Sequence, residues 1–148
     1  MIAAGAELSA DTELYALLLA EVTYRFAGTP LALHAAVGGG RFGGAWMVSA
    51  AGRYGTLRLG VEGEWCNTGD QLCLVLGGDV GGEREQSDNS IAADYRALVA
   101  IGRGGVAFHR GPLRVRAIAD VRAGRRSGGP SSESLSGGGA TLTLGWAW

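Results

Sequence analysis

The chain has 148 residues, enough for one domain, and its 13 basic and 14 acidic side chains leave a formal net charge of -1, which gives no reason to expect a nucleic-acid partner. Glycine reaches 27 residues against 3 prolines, and without a collagen-like repeat such glycines belong in strands and turns. Every basic residue is arginine, whose planar fork stays charged and suits buried pairs with carboxylates.

No segment reads as a transmembrane helix. The most apolar stretch, Leu14 to Val22, is short against the ~20 residues a helical span needs and contains Glu21. Met1 to Glu7 lacks the basic and apolar regions of a signal peptide. If the protein is exported, the chain is expected to be a mature form with an added Met, or a domain of a longer protein.

Period-two alternation marks eight segments. The first, Ile2 to Ser9, is short. The second, Glu13 to Phe26, puts Leu14, Ala16, Leu18, Ala20, Val22, Tyr24 and Phe26 on one face, and Tyr15, Leu17, Leu19, Glu21, Thr23 and Arg25 on the other. After the turn Ala27-Gly28-Thr29-Pro30, the third carries Leu31, Leu33, Ala35 and Val37 opposite His34, and a glycine-rich reversal is expected around Gly39 to Gly44. The fourth reads as one long strand, Ala45 to Trp65. Trp46, Val48, Ala50 and Tyr54 keep one parity there, and Leu57, Leu59, Val61 and Trp65 keep the other. A one-residue bulge at Gly52-Arg53-Tyr54-Gly55 would restore a common face. The alternative, a tight hairpin, gives an odd strand number and termini on opposite sides.

The fifth strand is expected over Leu72 to Glu83, followed by an acidic loop to Ser90. The sixth, Ile91 to His109, sets Ile91, Ala93, Tyr95, Ala97, Val99 and Ile101 against Asp94 and Arg96, with a second interruption at Arg103-Gly104-Gly105. A turn at Arg110-Gly111-Pro112 leads to the seventh, where Leu113, Val115, Ala117, Ala119 and Val121 face away from Arg114, Arg116, Asp120 and Arg122. Ser127 to Gly139 reads as a Ser/Gly loop, and the eighth strand runs from Ala140 to the terminal Trp148.

A chain made almost wholly of such segments, whose last strand alternates through Leu142, Leu144, Trp146 and Trp148, resembles bacterial outer-membrane β-barrels, which commonly close on a strand ending in Phe or Trp. The resemblance spans residues 1–148 and is architectural, with no subfamily signature. It implies an all-β, eight-stranded antiparallel up-and-down transmembrane β-barrel in the outer membrane, surrounded by lipid and monomeric. Turns near Gly28, Cys66 to Cys73 and Gly111 would face the periplasm, and the loops at Glu83 to Ser90 and Ser127 to Gly139 would face outward.

The apolar parity is almost free of charge, and Trp46, Tyr54, Trp65, Trp146 and Trp148 fall near strand ends, where an aromatic girdle would sit. The other parity mixes glycine with Glu21, Arg25, Arg58, Glu62, Glu64, Asp79, Asp94, Arg96, Arg114, Arg116, Asp120 and Arg122. In an eight-stranded barrel this set is expected to fill the interior as an ion-pair network, because the interior is only wide enough for side chains.

Cys66 and Cys73 bracket a turn and are placed for a cross-strand disulfide in an oxidising envelope. A metal site is not expected there, since no His or third Cys is near in sequence, and Asp70, Glu83, Glu85 and Asp88 lack the spacing of a calcium loop. No cofactor is expected: Gly38-Gly39-Gly40-Arg41 and Gly102-Arg103-Gly104-Gly105 open no helix. His34 and His109 match no catalytic motif and read as structural. Arg125 and Arg126, at the base of the last loop, could contact lipopolysaccharide phosphates, although charged loop bases are ordinary.

The functional expectation is a non-enzymatic anchor, scaffold or loop-presenting barrel whose outer loops meet lipopolysaccharide or an envelope protein. Three alternatives make distinct demands. A lipid-modifying enzyme needs a His beside a Ser and a carboxylate. A soluble lipocalin-like carrier needs an apolar interior, and a pore needs a wider lumen.

Overall fold

Alternating strands leave their backbone polar groups to be satisfied only by neighbouring strands, and closure into a barrel removes the two edges an open sheet would expose. The computed structural model describes residues 1–10, 14–43, 52–69, 71–88, 94–128 and 132–147. Within them lie β1 (Ile2–Ala10), β2 (Leu14–Arg25), β3 (Leu31–Gly43), β4 (Gly52–Cys66), β5 (Leu72–Ser87), β6 (Tyr95–Arg110), β7 (Leu113–Ser127) and β8 (Glu133–Trp146). Each strand pairs antiparallel with the next, and β1 seals against β8 from Ile2↔Trp146 to Ala10↔Gly138, giving one closed barrel in chain order.

β1 begins and β8 ends at the end that carries the three tight connections, here the turn end. Gly28 and Gly111 have φ of 74° and 60°, conformations that favour glycine. In the β4–β5 turn the Asn67 carboxamide oxygen accepts from the backbone N–H groups of Gln71 and Leu72 at 3.1 and 3.2 Å. The opposite, far end carries the other four connections, most of which fall outside the described residues.

The two faces of the wall invert a soluble domain. Leu18, Leu59, Leu74, Val80, Leu98, Val121 and Leu142 are among the large apolar side chains exposed on the outside, whereas eight carboxylates and several arginines are buried within. On β4 the Trp65 ring lies against the outward face of Gly63, in space a Cβ there would occupy.

Four sequence expectations are corrected. The stretch from Gly39 to Gly43 is not a reversal: β3 runs through it and pairs with β4 without a slip, from Leu31↔Gly63 to Phe42↔Gly52. The Gly52 to Gly55 stretch is accordingly neither bulge nor hairpin but regular strand. The parity change there arises because Tyr54 points inward with Thr56 and Arg58, while Leu57 and Leu59 point outward. Residues 44–51, including Trp46, Val48 and Ala50, lie outside the described residues.

In β6 the stretch Arg103-Gly104-Gly105 is also regular, so the half of the strand toward the far end faces opposite to expectation. Val99 and Ile101 are buried inside, and Arg96 and Leu98 are exposed outside. Glycine has no side chain to reveal which face it occupies, so alternation loses its phase across glycine pairs. Finally, β5 extends to Ser87 and β8 begins at Glu133, so much of both expected outer loops is paired strand. Backbone ladders tolerate polar side chains, so polarity alone misplaces a strand end.

Candidate functional site: the charged barrel interior and its turn-end mouth

Inward-facing side chains form successive layers along the barrel. At the far end Tyr15, Leu17, Phe42 and Tyr54 cluster, the Tyr15 and Tyr54 ring centroids lying 4.9 Å apart. The Tyr15 hydroxyl donates to Glu85 at 3.0 Å, and Arg126 donates to Glu85 at 2.7 Å while stacking over the Tyr95 ring.

Glu7 of β1 organises the layer below. It accepts both terminal guanidinium nitrogens of Arg58 from β4, at 2.6 and 2.8 Å, and one from Arg122 of β7 at 2.7 Å. Arg122 also reaches Asp120 at 3.1 Å and Glu83 at 3.2 Å. This layer therefore ties four strands across the lumen with charge-assisted bonds, which are shorter and stronger than neutral ones.

In the middle, Arg116 donates to Glu62 at 2.5 Å and lies 3.6 Å from Glu21, while Arg103 pairs with Glu62 and, at 3.2 Å, with Asp79. His34 sits fully buried between Asp79 at 3.3 Å and Glu21 at 3.6 Å. Its neighbours are thus carboxylates and the Arg103 guanidinium, 3.2 Å from Nε2. The backbone of Gly60 lies against Asp79, leaving no space for a Cβ. The space among Glu21, His34, Arg58, Asp79, Arg103 and Asp120 is only about 10 Å³, which admits one water at most.

The turn-end mouth holds a second group. Glu64 pairs with Arg25, with His109 at 2.7 Å and with Arg114 at 3.5 Å. Beside it Cys66 and Cys73, directly opposed across β4 and β5, form a disulfide. Cys73 Sγ lies 3.8 Å from both ring nitrogens of His109. The potential ligand atoms of Glu64, Cys66, Cys73 and His109 all fall within 4.8 Å of one another. In the disulfide, however, the sulfurs offer no thiolate to a metal.

Of the expected interior charges, Glu21, Arg58, Glu62, Glu64, Asp79, Arg116, Asp120 and Arg122 are buried, and Arg25 and Arg114 line the mouth. Arg96 and Asp94 are corrected: both are exposed on the outside, because β6 has the opposite phase. Tyr54 is corrected too, since it is buried in the interior cluster and belongs to no girdle. Trp65 and Trp146 are exposed on the outer wall at the turn end, and Trp148 lies outside the described residues.

Glu7, Glu83, Glu85, Arg103 and Arg126 were missed as interior groups. The phase of β1 could have found Glu7, which shares a face with Ala3, Gly5 and Ser9. The approach of His109 to the cysteines could not be read from spacing, because it depends on the β5–β6 register.

No protein-family model and no curated protein matches the chain. Among solved structures it is similar to the N-terminal β-barrel domain of Pseudomonas aeruginosa OprF, with a TM-score of 0.52 and 14% identity over 96% of each chain. At that identity the likeness concerns the fold, the eight-stranded antiparallel closed barrel described above.

Proposed function

We propose that this chain is a monomeric outer-membrane β-barrel with an anchoring, scaffolding or loop-presenting role, without catalytic or pore activity. The carrying observation is the inverted wall. On β5 the outward residues from Leu72 to Gly82 carry no charge, and the same holds on β7 from Leu113 to Ala123. Each run spans eleven residues, which fits the roughly 9–11 that a tilted strand needs to cross a bilayer. The fold likeness to an OprF barrel domain supports the same reading.

The tight, charged interior argues against the alternatives. A carrier of apolar ligands needs an apolar lumen, and a pore needs a continuous one, whereas the central space is about 10 Å³. His34 is enclosed by Glu21, Asp79 and Arg103, and His109 by Glu64 and the disulfide. Those surroundings hold an imidazole as part of an ion-pair network and do not pair it with a nucleophile.

The test is refolding into detergent and, separately, into plain buffer, followed by electrophoresis of boiled and unboiled samples. A fast unboiled band only in detergent is expected, and a folded monomer in plain buffer would overturn the proposal. Leu59→Arg, an outward change near the middle of the β4 run, should cost about 2–4 kcal/mol in a bilayer.

A further inference from the structure

Seven of the 13 arginines point into the barrel or its mouth, and of the six that point outward five share one level. Arg41, Arg53, Arg84, Arg96 and Arg125 lie on consecutive strands β3 to β7, all exposed and all near the far end. In each strand the arginine directly follows the uncharged outward run. Those runs extend from Leu31 to Gly39, Trp65 to Gly55, Leu72 to Gly82, Phe108 to Leu98 and Leu113 to Ala123. Every run is nine or eleven residues long, so the five guanidiniums stand one bilayer thickness from the turn-end rim.

The register makes this belt electrostatically unfavourable by itself. Arg41 is directly opposed to Arg53, and Arg84 to Arg96, and like charges in directly opposed positions repel. Asp88 meets Arg41 at 2.7 Å and Asp94 reaches Arg84 at 3.9 Å. Arg53, Arg96 and Arg125 have no carboxylate partner among the described residues. The segments 44–51, 89–93 and 129–131, which join strands of the belt or leave it, contain no acidic residue in the sequence, and Asp11 and Glu13 lie in the remaining connection at that end, between β1 and β2. The opposite rim differs: Tyr24, Phe26, Trp65, Phe108 and Trp146 stand exposed there, and Arg110 is the one outward strand arginine at that end.

We propose that the outward arginine belt of β3 to β7 binds the phosphate-bearing headgroups of lipids in the leaflet at the far end of the barrel. The proposal rests on the membrane-barrel reading. A guanidinium fork grips phosphate through paired N–H donors, and a fixed row of forks at headgroup depth would hold several phosphates around one side of the barrel. Lipid phosphate supplies the counter-charge that the wall lacks, at the depth where the apolar run ends.

The experiment measures binding of bisphosphorylated lipid A, and of the same lipid after dephosphorylation, to the detergent-refolded barrel by native mass spectrometry. Wild type is compared with the triple variant Arg53→Ser/Arg96→Ser/Arg125→Ser and with Arg110→Ser. All four positions are exposed, so the heat-shifted band should persist in every variant. The phosphorylated lipid should bind wild type and Arg110→Ser alike. The triple variant should bind it on the order of a hundredfold more weakly, about fivefold per arginine. Equal binding of the dephosphorylated lipid, or full binding by the triple variant, overturns the belt while leaving the barrel standing. Competition by inorganic phosphate at matched concentration would assign the site to free phosphate and overturn the lipid source. A chain that gives no heat-shifted band in detergent takes down the membrane reading and the belt together.

Discussion

Replacing Arg122 by methionine should destabilise the barrel by about 3–5 kcal/mol, the range for removing one partner of a buried charge pair. Arg122 touches three carboxylates, at 2.7 Å from Glu7, 3.1 Å from Asp120 and 3.2 Å from Glu83. Glu7 keeps its two bonds to Arg58 when Arg122 is lost. Glu83 keeps one ion-pair partner among the described residues, Arg58 at 4.0 Å, and Asp120 loses the one it has. The cost therefore comes mainly from two stranded carboxylates. The triple change Arg122→Met/Asp120→Asn/Glu83→Gln, which removes their charges, should recover more than half of it. The assay is urea unfolding in lipid vesicles, followed by fluorescence of the outward-facing Trp65 and Trp146. With a urea slope of about 2 kcal/mol per molar, Arg122→Met should lower the midpoint by roughly 2 M at unchanged slope. A loss below about 1 kcal/mol, or no recovery in the triple variant, would refute the idea that this layer holds the wall together.

Further measurements test other parts of the structure. Cys66→Ser/Cys73→Ser opens a loop with a sequence separation of only 7, so the chain-entropy loss is at most about 2–3 kcal/mol. The variant should still fold, with a midpoint matching that of reduced wild type. Gly60→Ala drives a methyl into Asp79 and the Gly78 carbonyl and should cost about 1–3 kcal/mol through overpacking. Gly55→Ala, whose Cβ would meet nothing closer than 3.9 Å, serves as the unstrained control and should unfold like wild type. In planar bilayers the refolded chain is expected to show no stable conductance; reproducible single-channel steps would contradict the closed interior.

Where side chains alternated without interruption, the sequence determined much of the architecture. Along β2, Leu18 and Val22 against Leu19 and Glu21 fixes one apolar and one polar face, and a period of two permits no other assignment. Eight such segments with three short turns imply an even strand count and termini at one end, and the barrel has both. The cysteines flanking a turn likewise meet because β4 and β5 are a hairpin and Cys66 falls opposite Cys73.

What failed, failed at glycine and at polar strand ends. Across Gly52 to Gly55 and Gly102 to Gly105 the glycines carry no side chain to show which face they occupy, so alternation alone sets Tyr54, Asp94 and Arg96 on the wrong faces. Only pairing with the neighbouring strands decides that phase, because each residue's direction is fixed by the ladder it joins. The same holds for the interior charges. Glu7 and Arg122 are 115 positions apart, and what brings them together is closure of β1 against β8. Local alternation could mark most inward positions; which arginine meets which carboxylate, and which arginines are left on the outer wall, came only from the register of the closed barrel.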